Sequence, residues 1–230
     1  MKKHYLLFFF LIAILFSSCY DENNDFTKSL FTEQKMTAAF KDCLRISKDT
    51  AINHLCVPNG FYDISAHTIE LPFSLKNLVD TLTVHGHEAL LDSLKLKMNR
   101  TGESVGNYLT ATFNSTISNL SFPNPSSILY GKNNAITTYM QLNLFSNLSQ
   151  SLEGEVINKM RQNGGRDVWN QILLTYQQQT NTPINFDLYH YITEEILTSI
   201  FQIMEQEEKN IRTIPSHRVT PNLQDVFGNL

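Results

Sequence analysis

The chain lacks most of the features that announce a chemistry. Glycine and proline are sparse, 9 and 7 in 230 residues, and neither occurs between Thr27 and Leu55, so nothing there breaks a long helix. There is no surplus of positive charge. The 18 Lys and Arg stand against 22 Asp and Glu, a formal net charge of −4, which gives no electrostatic reason to bind nucleic acid. The apolar run from Tyr5 to Phe16 falls short of the ~20 residues a helix needs to span a bilayer. The chain holds no Gly-x-Ser-x-Gly nucleophile elbow, no His-Glu-x-x-His, no phosphate-binding loop and no dinucleotide glycine pattern. No segment alternates apolar and polar residues between hairpin turns, and no repeat of fixed period is present, which argues against sandwiches, barrels and solenoids. Cysteine is scarce too, with Cys19, Cys43 and Cys56 alone. If one helix carries Cys43 and Cys56, they lie roughly 20 Å apart along its axis. A disulfide bridges Cα atoms within about 7 Å, so both are expected to be free, buried and inert thiols.

What is present begins at the N-terminus. Lys2 and Lys3, the apolar run and the small residues before Cys19 have the order of a secretory signal. Phe16-Ser17-Ser18-Cys19 resembles the lipobox of bacterial lipoproteins. That resemblance implies that residues 1–18 are removed and that Cys19 becomes the lipidated first residue. The mature chain would then have 212 of the 230 residues and, without Lys2 and Lys3, a formal charge of −6 instead of −4. It implies a place in the bacterial cell envelope, as an outer-membrane lipoprotein facing the periplasm or the cell surface. The polar stretch that follows, residues 19–26, reads as a lipidated tether. Residues 27–230 are enough for a single domain with its own core.

The apolar spacing in that domain is helical almost throughout. Leu30, Phe40, Leu44, Ala51 and Leu55 share one face from Thr27 to Leu55, with Lys35, Lys41, Lys48 and Asp49 off it. Pro58-Asn59-Gly60 marks a turn, and residues 61–70 read as irregular or briefly extended. Pro72 suits a helix start before Leu75, Leu78, Val79 and Leu82. Gly86 ends that helix, and Leu90, Leu91, Leu94 and Met98 form the next face. Val105 to Leu120, Ser126 to Tyr130, Asn134 to Met160 and Val168 to Tyr176 follow as further helices, the turn Asn163-Gly164-Gly165 separating the last two. Asp187 is placed to N-cap a final long helix whose stripe runs from Leu188 through Ile192, Ile196, Ile200 and Met204. Glu208 and Arg212 on it form an i,i+4 pair in the favourable order. A short helix through Leu223 and Val226 closes the chain at Gly228. The expected fold is all-α, a multi-helix bundle with short loops.

Three blocks resemble the DUF4197 family, bacterial proteins of unknown function. The first is Phe40 to Leu55. The second runs from Leu71-Pro72 through Val79, Leu82 and Leu91-Asp92 to Met98-Asn99-Arg100. The third is Asp187 to Phe201 with Glu207-Glu208-Lys209-Asn210-Ile211-Arg212, Pro215, Arg218 and Val226-Phe227-Gly228. The resemblance implies a helical envelope protein and carries over no catalytic residue. Where such proteins read Asn-Arg-Ala-Ala-Glu, this chain reads Asn99-Arg100-Thr101-Gly102-Glu103. Gly102 weakens a helix by about 1 kcal/mol relative to alanine, so the sequence predicts a break there.

Four polar groupings compete for a role. Asn99, Arg100 and Glu103 could line a site for a carboxylate or phosphate. The plainer reading is an ion pair that locks their helix to Glu194, Glu195 or Glu205 of the final long helix. His85-Gly86-His87-Glu88 contains metal-ligand types, but i,i+2 residues diverge on a helix and Gly86 suggests a polar turn. His190 and Glu194 lie i,i+4 and read as a surface hydrogen bond. Glu205, Glu207 and Glu208 read as a solvated helix end. No catalytic residue, metal site or cofactor is nominated. The function expected is a non-catalytic binding or scaffolding module held at the membrane by its lipid, with an envelope protein as partner. A helical carrier of a small apolar ligand and an unrecognised hydrolase stand as alternatives.

Overall fold

The computed structural model describes residues 22–62 and 66–228, with side chains from Thr32 onward. The leader and Cys19 lie outside the described residues. Among those residues there are nine α-helices, two 3-10 turns and no strand. The chain is all-α, as its spacing predicts.

Helix α1 (Glu22–Leu55) is followed by a 3-10 turn (Phe73–Leu75) that runs into α2 (Lys76–Val84), then α3 (Glu88–Ser104), α4 (Gly106–Asn119) and α5 (Pro125–Leu129). The second half consists of α6 (Ala135–Gln162), α7 (Gly165–Thr180), α8 (Leu188–Thr213), a 3-10 turn (Pro215–His217) and α9 (Pro221–Phe227). Residues 22–26, within the stretch read as tether, have helical backbone continuous with α1.

Helix α1 is the axis of the bundle. It packs along α8 and also touches α4, α5, α6 and α9, while α6 lies on the other flank of α8 and α2, α3 and α7 complete the far end. A helix surrounded in this way must bury more than one stripe. Phe40, Cys43, Leu44, Ala51 and Leu55 of α1 are fully buried, as are Ile192, Ile196, Ile200 and Met204 of α8. Each of the larger side chains among these, the leucines, isoleucines, Phe40 and Met204, contributes about 1.5–3 kcal/mol relative to staying in water. Lys48, assigned to the polar face, is a correction: it is 2% exposed, because α4 covers that side of α1. Its ammonium donates to Asn114 Oδ1 at 2.9 Å and pairs with Asp49 Oδ1 at 2.6 Å, so the charge reaches solvent through its neighbour.

The ends follow local chemistry. The Asp187 carboxylate accepts from the His190 amide at 3.0 Å, an N-cap worth about 1 kcal/mol. Asn124 caps α5 by accepting from the Ser127 amide, and Pro125 is its first residue. Gly164 turns the chain between α6 and α7 at φ 80, in the left-handed region. The break expected at Gly102 does not occur there. Helix α3 continues to Ser104 and the chain bends at Val105. At Gly102 a Cβ would stand 3.0 Å from the Phe61 ring, and at Gly106 a Cβ would stand 2.8 Å from Cys56 Cβ. Both glycines let the 56–62 turn press onto the helices, and burying Phe61 offsets the lost helix propensity.

Candidate functional site

The cluster nominated from the sequence divides its members between two directions. Asn99 faces inward, fully buried. Its Oδ1 accepts from the Ile69 amide at 2.8 Å and its Nδ2 donates to the Ile69 carbonyl at 3.0 Å and the Lys95 carbonyl at 2.7 Å. One carboxamide thus replaces a strand partner for Ile69. Arg100 faces outward. It donates to Glu103 Oε2 and Asn59 Oδ1, each at 2.6 Å, and lies 6.0 Å from the Tyr62 ring centroid. The partner expected on the final long helix is replaced by the turn after α1, because Asn59, in the left-handed region at φ 67, carries its carboxamide to Arg100. Tyr191 of α8 donates to the Glu70 carbonyl at 2.7 Å, and Lys95 pairs with Glu70. Together these contacts tie residues 59–62 and 69–70 to α3 and α8. No carboxylate- or phosphate-sized opening is needed to explain them.

The carboxylates at the end of α8 are a second correction. Glu208 is fully buried and Glu207 nearly so, and only Glu205 fits a solvated end. The Glu208 carboxylate accepts from the Ile136 and Thr137 amides at 3.0 and 2.7 Å, and so serves the N-terminus of α6. Arg212 Nε donates to Glu208 Oε1 at 2.9 Å. Its two Nη groups donate to the Leu129 and Ile128 carbonyls at 2.7 and 3.2 Å, at the end of α5. The guanidinium lies 5.2 Å from the Phe227 ring centroid. Burial pushes the Glu208 carboxyl above its ordinary range, against the pull of Arg212 and the two amides. Glu207 accepts from Asn210 at 3.2 Å and lies 2.8 Å from His217 Nδ1. This assembly joins α5, α6, α8 and α9, and its role is structural.

The remaining nominated groups lie at the surface or are inert. His85, Gly86 and His87 form the α2–α3 turn, with Gly86 at φ 77 and His85 Nδ1 2.7 Å from the Thr81 carbonyl. His190 lies between Glu153 of α6 at 3.2 Å and Glu194 at 3.3 Å, and the Glu153 hydrogen bond raises its pKa, with the Glu194 charge adding to it. Among the described residues no three His, Cys, Asp or Glu side chains gather as a metal would need. Cys43 and Cys56 are free, as expected, though Cys56 is only half-buried. Burial, then the Glu208 charge, raises the Cys43 thiol pKa; burial and Glu103 push that of Cys56 up to about 12. Neither is a nucleophile at neutral pH.

One region was missed in the sequence reading. Between α4 and α6 runs a groove of about 570 Å³. Thr112, Ser115, Thr116 and Asn119 line it from α4, at the i, i+3, i+4, i+7 spacing of one helix face. Tyr139, Asn143, Asn147 and Ser151 line it from α6, each four residues from the next. Leu120, Leu144 and Leu148 supply the apolar part of the lining. The lining holds no Lys, Arg, His, Asp, Glu or Cys. The signal was present as two polar stripes of matching period, and the polar composition of α6 concealed it as poor amphipathicity.

Searches of curated proteins and of solved structures each found no match. A family model described as a protein of unknown function, DUF4197, matches residues 30–228, and the chain belongs to that family.

Proposed function

We propose that this protein is a lipid-anchored binding module of a bacterial envelope, acting without catalysis through the α4–α6 groove. The observation that carries the reading is the composition of that groove. It offers hydroxyls, carboxamides and a phenol, with no imidazole, thiol or carboxylate among its lining residues. A serine or threonine without a neighbouring base remains a weak nucleophile, so the groove is equipped to hold a ligand and not to transform it. The anchor rests on Lys2, Lys3, the apolar run and Cys19. Among the described residues no helix is long and apolar enough to cross a membrane. A multiply acylated cysteine would hold the domain at the bilayer, since each buried CH₂ contributes about 0.8 kcal/mol and stable attachment takes two chains.

Two measurements test the halves of this reading separately. A photo-crosslinking residue in place of Asn143 in the full chain, activated in cells and followed by mass spectrometry, is expected to trap a molecule that the same label at exposed Gln171 on α7 does not. Equal labelling from both positions removes the groove from the argument. Cys19→Ser is expected to release the protein from the envelope pellet into the soluble fraction. Retention through a high-salt wash rules out the lipid anchor.

A further inference from the structure

We infer that the α4–α6 groove binds a neutral, hydroxyl-rich ligand, an uncharged oligosaccharide, an inference that rests on the binding-module reading and names its ligand class. Several helix threonines donate to the carbonyl four residues back, among them Thr101 to Lys97, Thr110 to Gly106, Thr193 to Tyr189 and Thr213 to Lys209, all at 2.7–2.9 Å, while others such as Thr50, Thr83 and Thr198 do not. In the groove Thr112 and Thr116 make no such bond, and Ser115 and Asn147 make no side-chain hydrogen bond among the described residues. Four polar side chains on facing helices are therefore uncommitted and turned to one volume.

A hydroxyl both donates and accepts, and a carboxamide presents one donor and one acceptor side by side. Sugar hydroxyls have the same dual character, and adjacent hydroxyls on a ring suit a carboxamide such as that of Asn147. The C–H face of a sugar needs an apolar surface, which Leu144 and the half-buried Tyr139 ring provide. The Tyr139 ring is fixed for that role, its centroid 5.3 Å from that of Phe122 and its hydroxyl donating to the Ser121 carbonyl at 3.0 Å. A peptide ligand would ask for pockets for anchoring side chains and, for charged ones, counter-charges. The lining supplies no counter-charge, so it offers nothing to a charged anchor. A phosphorylated or acidic glycan is disfavoured by the same lack of cations.

The test is a titration of the purified full chain in detergent with a panel of neutral oligosaccharides (linear α- and β-glucans, a mannan and a galactan fragment), beside sulfated and uronic-acid counterparts. The expected result is saturable binding of at least one neutral oligosaccharide, with a Kd on the order of 0.1–1 mM. It should be unchanged between low and high salt, because no charge in the lining is there to screen. Thr112→Val, Thr116→Val and Asn147→Ala should each weaken binding about tenfold with the melting temperature held, the two valines preserving shape while removing a hydroxyl. Absence of neutral binding up to about 10 mM, a preference for the acidic counterparts, or affinity indifferent to the three substitutions overturns the inference. If the crosslink from position 143 nonetheless traps a protein specifically, the groove is a binding site for a polypeptide and the ligand class alone is wrong. If it traps nothing, the binding reading falls with it.

Discussion

Two polar regions of this molecule invite comparison: the end of α8 and the groove between α4 and α6. At the end of α8 the Arg212 fork meets one carboxylate and two backbone carbonyls, and Glu208 meets Arg212 and two amides. Both side chains are out of water and fully engaged. In the groove, Thr112, Ser115, Thr116 and Asn147 are open to solvent or half-open, and their side chains make no hydrogen bond among the described residues. The first arrangement is what a protein does with polar groups it must bury to join helices. The second is what it does with polar groups left available to something else. Residue type alone would have suggested the reverse, since a charged cluster draws the eye before a row of threonines.

Substitutions should separate the two regions by their effect on stability. The largest effect is expected at α8. Arg212→Ala leaves Glu208 buried without its cation and two carbonyls without donors, and should lower the unfolding free energy by about 3–5 kcal/mol, read from denaturant midpoints. Joint replacement of Glu208 and Arg212 by Met should recover part of that loss, because no lone charge then remains inside. Asn99→Ala strands the amide and carbonyl of Ile69 and should cost about 2–3 kcal/mol. Arg100→Ala is expected to cost about 1–2 kcal/mol, since the arginine side chain is 40% exposed but its partner Glu103, 7% exposed, is left without its cation. An Arg100 loss as large as that of Arg212 would mean that the 56–62 turn is an essential part of the core. Thr116→Val in the groove should change stability by less than about 0.5 kcal/mol. A loss of 2 kcal/mol or more would show that its hydroxyl is structural and would erase the contrast between the regions.

The smallest effects are in pH, and two histidines oppose each other. The His190 pKa is raised in the fold by its bond to Glu153 and then by Glu194. Its contribution is fully present below the unfolded value of about 6.5 and is lost as pH rises through the raised folded value. The His67 pKa is lowered by burial and then by the His54 charge. Its neutral form is favoured in the fold, so stability falls as pH drops from about 6.5 through the lowered value. Melting curves of His67→Gln should therefore lose less stability on mild acidification than the parent. Those of His190→Gln should lose more. Identical pH profiles for all three proteins would show that neither histidine is coupled to folding.

Much of the fold was legible because helices announce themselves locally. Asp187 caps the helix its spacing predicted, and the carboxylate of Glu208 does pair with Arg212 four residues on. Both are facts of one helix. What could not be read were facts about two. Lys48 has the type and spacing of a surface residue and is buried because α4 lies over it. Gly102 reads as a helix breaker and is tolerated because Phe61 occupies the space of its absent side chain. The Asn99–Arg100–Glu103 run was visible as a polar cluster, yet its use as a clamp on Ile69 and Asn59 required knowing where the 56–69 segment returns.

The sequence by itself determined the class of this protein: helices of given length, their caps and turns, their apolar faces, and family membership. Those depend on interactions among residues a few positions apart, and a 3.6-residue period writes them into the order of the chain. The tertiary structure alone decided which polar groups are consumed in joining helices and which are left facing an open groove. That outcome depends on which helix lies beside which, and packing of distant segments leaves no local periodic mark.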